Sequence, residues 1–275
     1  MDRGQIGRVG WRPMRIVVCV AENNLFQLGN IAATLSGLTE QGHVVSLARI
    51  KAQAPLSLGR KLTLARLLGL MNAARVTAWS MAAGLSAISG LDRFLARPLT
   101  MRTVADRVGV PQRVFPSVNG REFLEYVRAQ GVDLIVNHHS EIYRTEAIGA
   151  ARLGVLNIHS GFLPEYRSAL PVFWSLFDNT ELHGITAHLI DEGVDSGRLV
   201  LRRGFAFAGK GFLDVLQGLN AHSAQFVLDA VGLLASGAPE RFSPLKRAAY
   251  RRFPTWSQVG EFKSLGCGSG RFRLP

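Results

Sequence analysis

MRIVVCV (residues 14–20) and HVVSLARI (43–50) are short runs rich in β-branched residues, separated by a stretch of helical pattern over about 28–41. Runs of this length bounded by polar residues read as buried strands, and strand–helix–strand read in order is a right-handed βαβ unit. The chain therefore opens as a doubly wound, mostly parallel sheet with helices on both faces, a Rossmann-like α/β fold. The first turn of such a unit often cradles a dinucleotide. Here it reads AENNLFQLGN, with one late glycine, Gly29, where a pyrophosphate needs close backbone approach at several points. An NAD or FAD site is not expected.

Outward from this unit the alternation continues. Helical pattern near 99–108 leads to VPQRVF, then to a helix near 119–130 and to VDLIVN (132–137), an apolar run suited to a strand buried on both faces. A helix over 143–151, a strand GVLNIH (154–159), a helix over 169–179 and strands over 181–191 and 197–207 follow. Apolar residues at helical spacing predict a long helix over 211–236. Residues 1–13 have no apolar core of a signal peptide and are expected to be a disordered extension. Residues 14–238 are expected to form one α/β domain, with a basic helical insertion over about 51–100. Residues 239–275 are basic, aromatic and Gly-rich and are expected to have low order.

A hydrophobic content of 47% in 275 residues suffices for a large core. Two cysteines make no disulfide framework, which suits a reducing, cytoplasmic setting. The net charge of +12 is unevenly spread. Residues 51–113 hold ten Lys/Arg against Asp92 and Asp106, and residues 241–275 hold eight against Glu261. Residues 114–240 carry nine basic and fourteen acidic side chains, so the middle of the chain is mildly acidic. The flanks suit nucleic acid, anionic lipid or a phosphorylated substrate, and equally a merely soluble surface. Residues 62–90 have only Arg66 and Arg75 as charges; they suit helices packed on the sheet, a dimer contact or a peripheral membrane contact, and are too interrupted to span a bilayer.

Residues 156–174, LNIHSGFLPEYRSALPVFW, carry the chemistry. Side chains two apart on a strand share a face, so Asn157 and His159 point the same way at the carboxyl end of a strand, where open α/β sheets build their sites. An amide donor beside an imidazole suits acyl transfer. The same pair also fits a capped turn or a satisfied core histidine. In HLIDEGVDSG (188–197), Asp195 stands on a tight loop from which its carboxylate could hold a charged His159, an amine or a water; it also fits an ordinary turn.

NIHSGFLPEYRSALPVFW followed by GITAHLIDEGVDSGRLVL resembles the folate-dependent formyltransferases, whose shared pattern is NxHPSLLPxYRG, a His-bearing strand and VDxG. The resemblance covers about residues 100–236. It implies 10-formyltetrahydrofolate as formyl donor, no metal, and transfer to a primary amine. Asn157, His159 and Asp195 fall on the family's catalytic triad: Asn157 and protonated His159 stabilise the developing oxyanion, and His159 or a water on Asp195 takes the amine's proton. The folate site is implied at Asn137, His138, His139, Ser140 and Glu141 and at Asp191, Glu192 and Gly193. His138 and His139 depart from the family's small or apolar residues there, and Ser160 and Ser168 stand where the family prefers Pro and Gly. His188 is expected to support the triad. Tyr166, Arg167 and Trp174 are the expected acceptor contacts.

The acceptor implied is a small-molecule amine, foremost a nucleotide-linked amino sugar, with glycinamide ribonucleotide or an aminoacyl-tRNA as alternatives. A metal hydrolase is a rival reading, but the histidines lack an HxH or HxxxH pattern joined to a carboxylate. A catalytically inactive binding or scaffold protein is another, and the intact triad argues against it.

Overall fold

The computed structural model describes residues 12–22, 24–51, 56–207, 211–237, 243–245 and 248–273. The 1–13 extension falls, up to residue 11, outside them. The strands β1 (Arg15–Ala21), β2 (Val44–Ile50), β3 (Gln112–Phe115), β4 (Leu134–His138), β5 (Val155–His159), β6 (Leu182–Leu189) and β7 (Arg198–Ala206) form one sheet in the order β3-β2-β1-β4-β5-β6-β7. The pairs among the first five are parallel, and β6 and β7 complete the sheet antiparallel to their neighbours. The chain changes direction between β1 and β4, the switch point beside which ligands bind in open α/β sheets.

Alternation along the strands divides the core. Ile16, Val18, Val20, Leu134 and Val136 pack on the side of α1 (Leu28–Glu40) and α8 (Phe212–Ala235), while Val17, Cys19, Ile135 and Val155 meet Phe115, Phe123 and Val127 on the other. The remaining helices are α2 (Leu58–Leu68), α3 (Leu70–Ser89), α4 (Met101–Val108), α5 (Arg121–Ala129), α6 (Thr145–Ile148), α7 (Pro171–Phe177) and α9 (Trp256–Ser264). Helix α6 is a single turn rather than the nine residues expected, because Tyr143 is drawn down to the sheet, where its hydroxyl donates to Asn137 Oδ1 at 3.3 Å.

The C-terminal segment is the main correction to the expected architecture. Thr255 and Gln258 close a capping box on α9, and Val259 and Phe262 are fully buried. The Phe262 ring lies 4.9 Å from that of Phe173, and Phe272 sits edge-on to Phe26 and Trp79. Asn72 of α3 donates to Gly270 O at 2.9 Å and accepts from Phe272 N at 3.0 Å, so the segment completes the α1–α3 side of the core. Anchors about 200 residues apart in sequence leave no local periodicity, which is why composition alone suggested low order.

Candidate active site

Strand register lays a polar row across the sheet. Asn137 of β4 stands beside Asn157 of β5, which stands beside His188 of β6, all on one face. The backbone of His139 fixes the first amide: His139 N–H donates to Asn137 Oδ1 at 3.3 Å, and Asn137 Nδ2 donates to His139 O at 3.0 Å. Asn137 Nδ2 also donates to Asn157 Oδ1 at 2.8 Å, so Asn157 must turn its NH2 away from β4. One of those protons goes to His188 Nε2, 3.1 Å away, which places the His188 proton on Nδ1. The second Asn157 proton is left as a donor. His188 is held neutral, its pKa pushed down to about 4, first by burial and then by His159.

One row further on, His159 pairs with Thr186. Its Nε2 lies 2.8 Å from Tyr166 O, and because a carbonyl only accepts, Nε2 carries a proton. Nδ1 faces Asp195 Oδ1 at 3.5 Å, a contact that is attractive when both ring nitrogens are protonated. The loop after His159 packs closely on this ring: a Cβ on Gly161 would fall 2.6 Å from Pro171 Cβ and 3.2 Å from His159 Nε2.

Asp195 reaches His159 by a route that strand alternation does not reveal. Ile190 N donates to Val155 O, so the chain leaves β6 beside the start of β5 and folds back along the sheet face. Asp195 (φ 47°) and Gly197 (φ 100°) supply the left-handed backbone for that return, and a Cβ on Gly197 would meet Leu189 O at 1.9 Å. The guanidinium of Arg167 ties the tip down, donating to Val194 O at 3.1 Å from Nε and to Ala248 O at 2.6 Å.

These groups border a cleft of about 530 Å3. Asn137, His138, His139, Ser140, Glu141, Asn157, His159, Asp191 and Asp195 line it, while Glu192 and Gly193 do not. Glu141 turns its carboxylate to Ser117 and Asn119, and Glu192 accepts from Thr145 Oγ1 at 2.9 Å. Asp191 accepts from Gly193 N at 2.9 Å and from Ser196 Oγ at 2.5 Å. Burial pushes His138 and His139 down to about 4, and the buried Nε2 of His138 has no hydrogen-bond partner among the described residues. Glu141 N donates to His139 Nδ1 at 3.1 Å, so His139 Nε2–H donates to the Tyr143 hydroxyl at 3.1 Å.

Tyr166, Arg167 and Trp174 do not line the cleft as the acceptor contacts expected of them. Tyr166 contributes its carbonyl, Arg167 is the strap on the loop, and Trp174 is buried with Nε1 donating to Arg252 O at 3.1 Å. The lining that sequence reasoning missed comes from afar: Asn24 and Gln27 after β1, Phe212 and Leu216 of α8, and Tyr250. Only the apolar spacing of α8 hinted at any of them. Among the described residues, no three His, Cys, Asp or Glu are grouped to hold a metal.

Residues 103–206, which include β4, β5, β6 and the whole Asn157–His159–Asp195 group, match the family model described as "Formyl transferase". Over those residues the chain is similar to the formyl transferase family. Relatives of this domain include the methionyl-tRNA formyltransferase of Chlorobium phaeovibrioides (strain DSM 265 / 1930), 29% identical over 146 residues that cover 53% of this chain and 46% of the relative. That of Desulfotalea psychrophila (strain LSv54 / DSM 12343) is 34% identical over 104 residues, 38% of this chain and 32% of the relative. The chain thus spans less than half the length of these relatives. In fold it is similar to glycinamide ribonucleotide transformylase 1 from Symbiobacterium toebii (TM-score 0.56, 18% identity, 84% of this chain and 93% of that one). It is also similar to a sugar N-formyltransferase from Shewanella sp FDAARGOS_354 (TM-score 0.53, 15% identity, 91% and 79%).

Proposed function

We propose that this domain transfers a formyl group from 10-formyltetrahydrofolate to a primary amine. The observation that carries the reading is the convergence of an Asn157 amide proton, His159 Nδ1 and the Asp195 carboxylate on one cleft. The donor supplies an electrophilic formyl carbon. The cleft suits its pterin: the unpartnered, neutral His138 Nε2 is a polar group in need of a partner, and a pterin edge offers both donors and acceptors. His138, His139, Asn137, Ser140 and the Asp191 loop would hold that edge.

Asn157 Nδ2–H and the proton on His159 Nδ1 are donors for the negative charge that develops on the formyl oxygen. Asp195 would accept, directly or through a water, a proton from the ammonium formed when the free amine adds to the formyl carbon, and that proton would pass to the donor nitrogen as its bond to the formyl carbon breaks and tetrahydrofolate leaves. A neutral His188 suits this arrangement, since a second cation behind Asn157 would compete for the same oxyanion and repel His159.

For the acceptor, our reading is a small amine such as a nucleotide-linked amino sugar, a class consistent with the fold's likeness to a sugar N-formyltransferase. A second reading, an aminoacyl-tRNA, is favoured by the sequence relatives and by the net charge of +12. Tetrahydrofolate release should be scanned against nucleotide-linked amino sugars, glycinamide ribonucleotide and charged initiator tRNA. Amine-dependent release lost in His159→Ala supports the transfer and identifies the acceptor class; absence of folate binding by calorimetry would overturn it.

A further inference from the structure

Helix α3 is amphipathic in the inverted sense. Its inner stripe, Asn72, Trp79, Ala83 and Ser86, is partly polar and buried, and the chain's own C-terminal segment covers its first half through the Asn72 bonds to Gly270 and Phe272 and the Phe272 ring against Trp79. Its outer stripe is Met71, Ala74, Ala78, Met81, Leu85 and Ile88, spaced by three and four residues, every one exposed and none charged. Ile88 is 88% exposed and Leu85 68%. The apolar surface continues past the helix end in Leu91, Phe94 and Leu95, again exposed. A solvent-facing helix should carry its polar residues on this side.

Charge decides what covers it. Residues 51–105 hold eight Lys/Arg and one acidic residue, Asp92, which is buried. Arg60, Lys61, Arg75, Arg93 and Arg97 are exposed around the stripe, near its start and beyond its end. In a symmetric pair of copies these cations would face one another with Asp106 as the exposed carboxylate nearby, too little to offset them. An anionic lipid surface supplies both a medium for the apolar stripe and the missing counter-charge.

We propose that the outer face of α3, with the turn that follows it, docks this protein on an anionic bilayer surface. The helix lies in the interface and does not cross it; no helix among the described residues is long and apolar enough to cross a membrane. This inference rests on surface chemistry alone and stands apart from the activity proposed above.

The test is flotation with vesicles of phosphatidylcholine, alone or with about 30 mol% phosphatidylglycerol, alongside sedimentation equilibrium without lipid. The wild-type chain is expected to float with the anionic vesicles at least about tenfold more tightly than with neutral ones, and to lose this as salt rises. Leu85→Glu/Ile88→Glu, on exposed positions outside the cleft, should weaken flotation about tenfold or more with the thermal midpoint unchanged, and Arg93→Glu/Arg97→Glu should remove the preference for anionic lipid. Absence of flotation, flotation indifferent to both variants, or a lipid-free dimer that Leu85→Glu/Ile88→Glu converts to monomer would each overturn the proposal, the last by assigning the face to a second copy.

Discussion

At the scale of single residues, the catalytic reading depends on which way one amide points. Asn157 presents its NH2 because Asn137 occupies its oxygen, and Asn137 is in turn fixed by both backbone groups of His139. Asn157→Asp keeps the volume and replaces the donor with an acceptor; kcat should fall about 100- to 1,000-fold, measured by steady-state tetrahydrofolate release. Asn137→Val removes that support, so a smaller loss of about 10- to 100-fold in kcat is expected. The His188 tautomer, read from its ring nitrogen NMR shifts, should become mixed in Asn137→Val; an unchanged tautomer would contradict the positioning role. The motif itself could be read from Asn157 and His159 two residues apart, but not this relay, because Asn137 and His188 meet Asn157 only through strand register.

Desolvation of His138, His139 and His188 sets a pH dependence with a definite sign. His138, His139 and His188 lie near 4 in the folded chain against 6.5 for the free side chain, so the unfolded chain binds more protons between those values. Their contribution to stability is present above about pH 6.5 and is lost as pH falls toward 4. Thermal midpoints should therefore drop between pH 7 and pH 5, and His138→Asn should flatten that drop; an equally steep profile in the variant would remove His138 as a source.

At the scale of elements, strands were the most legible part, since β1, β2 and β4 are apolar runs that a sheet covered on both faces requires. The loop after β6 was legible only as a turn. Its return along the sheet follows from Gly197, Asp195 and the Arg167 strap, none of which has a periodic signature. Gly197→Ala should cost about 1–3 kcal/mol in chemical denaturation and lower kcat, since the added Cβ would collide with Leu189 O and displace Asp195. Arg167→Ala should leave the fold in place and reduce kcat about tenfold by freeing the Val194 tip. An unchanged kcat in both variants would detach the loop's geometry from the chemistry.

At the scale of the whole molecule, the two flanks of the motif-bearing middle prove to be one structure. The C-terminal segment packs on α3 and on α7, closing the core from the far end of the chain. Composition pointed the other way there, because eight cations in 35 residues suggest a solvated tail while Val259, Phe262 and Phe272, the residues that bury, are few and far apart. Phe262→Ala should cost about 3–5 kcal/mol of stability, read by urea denaturation; a change within about 0.5 kcal/mol would show that the segment is not part of the cooperative core. The cleft depends on this closure too, since Tyr250 on its wall lies on the way into that segment.

The central claim is that one Asn157 proton, His159 Nδ1 and Asp195 act together on a formyl group. The most direct measurement is single-turnover tetrahydrofolate release from 10-formyltetrahydrofolate with a saturating amine, comparing the wild-type chain with Asn157→Asp and His159→Ala, with folate affinity measured in parallel by calorimetry. The account predicts a rate lower by at least about 100-fold in each variant, with folate binding retained. Release at the wild-type rate in both variants, with folate still bound, would contradict it.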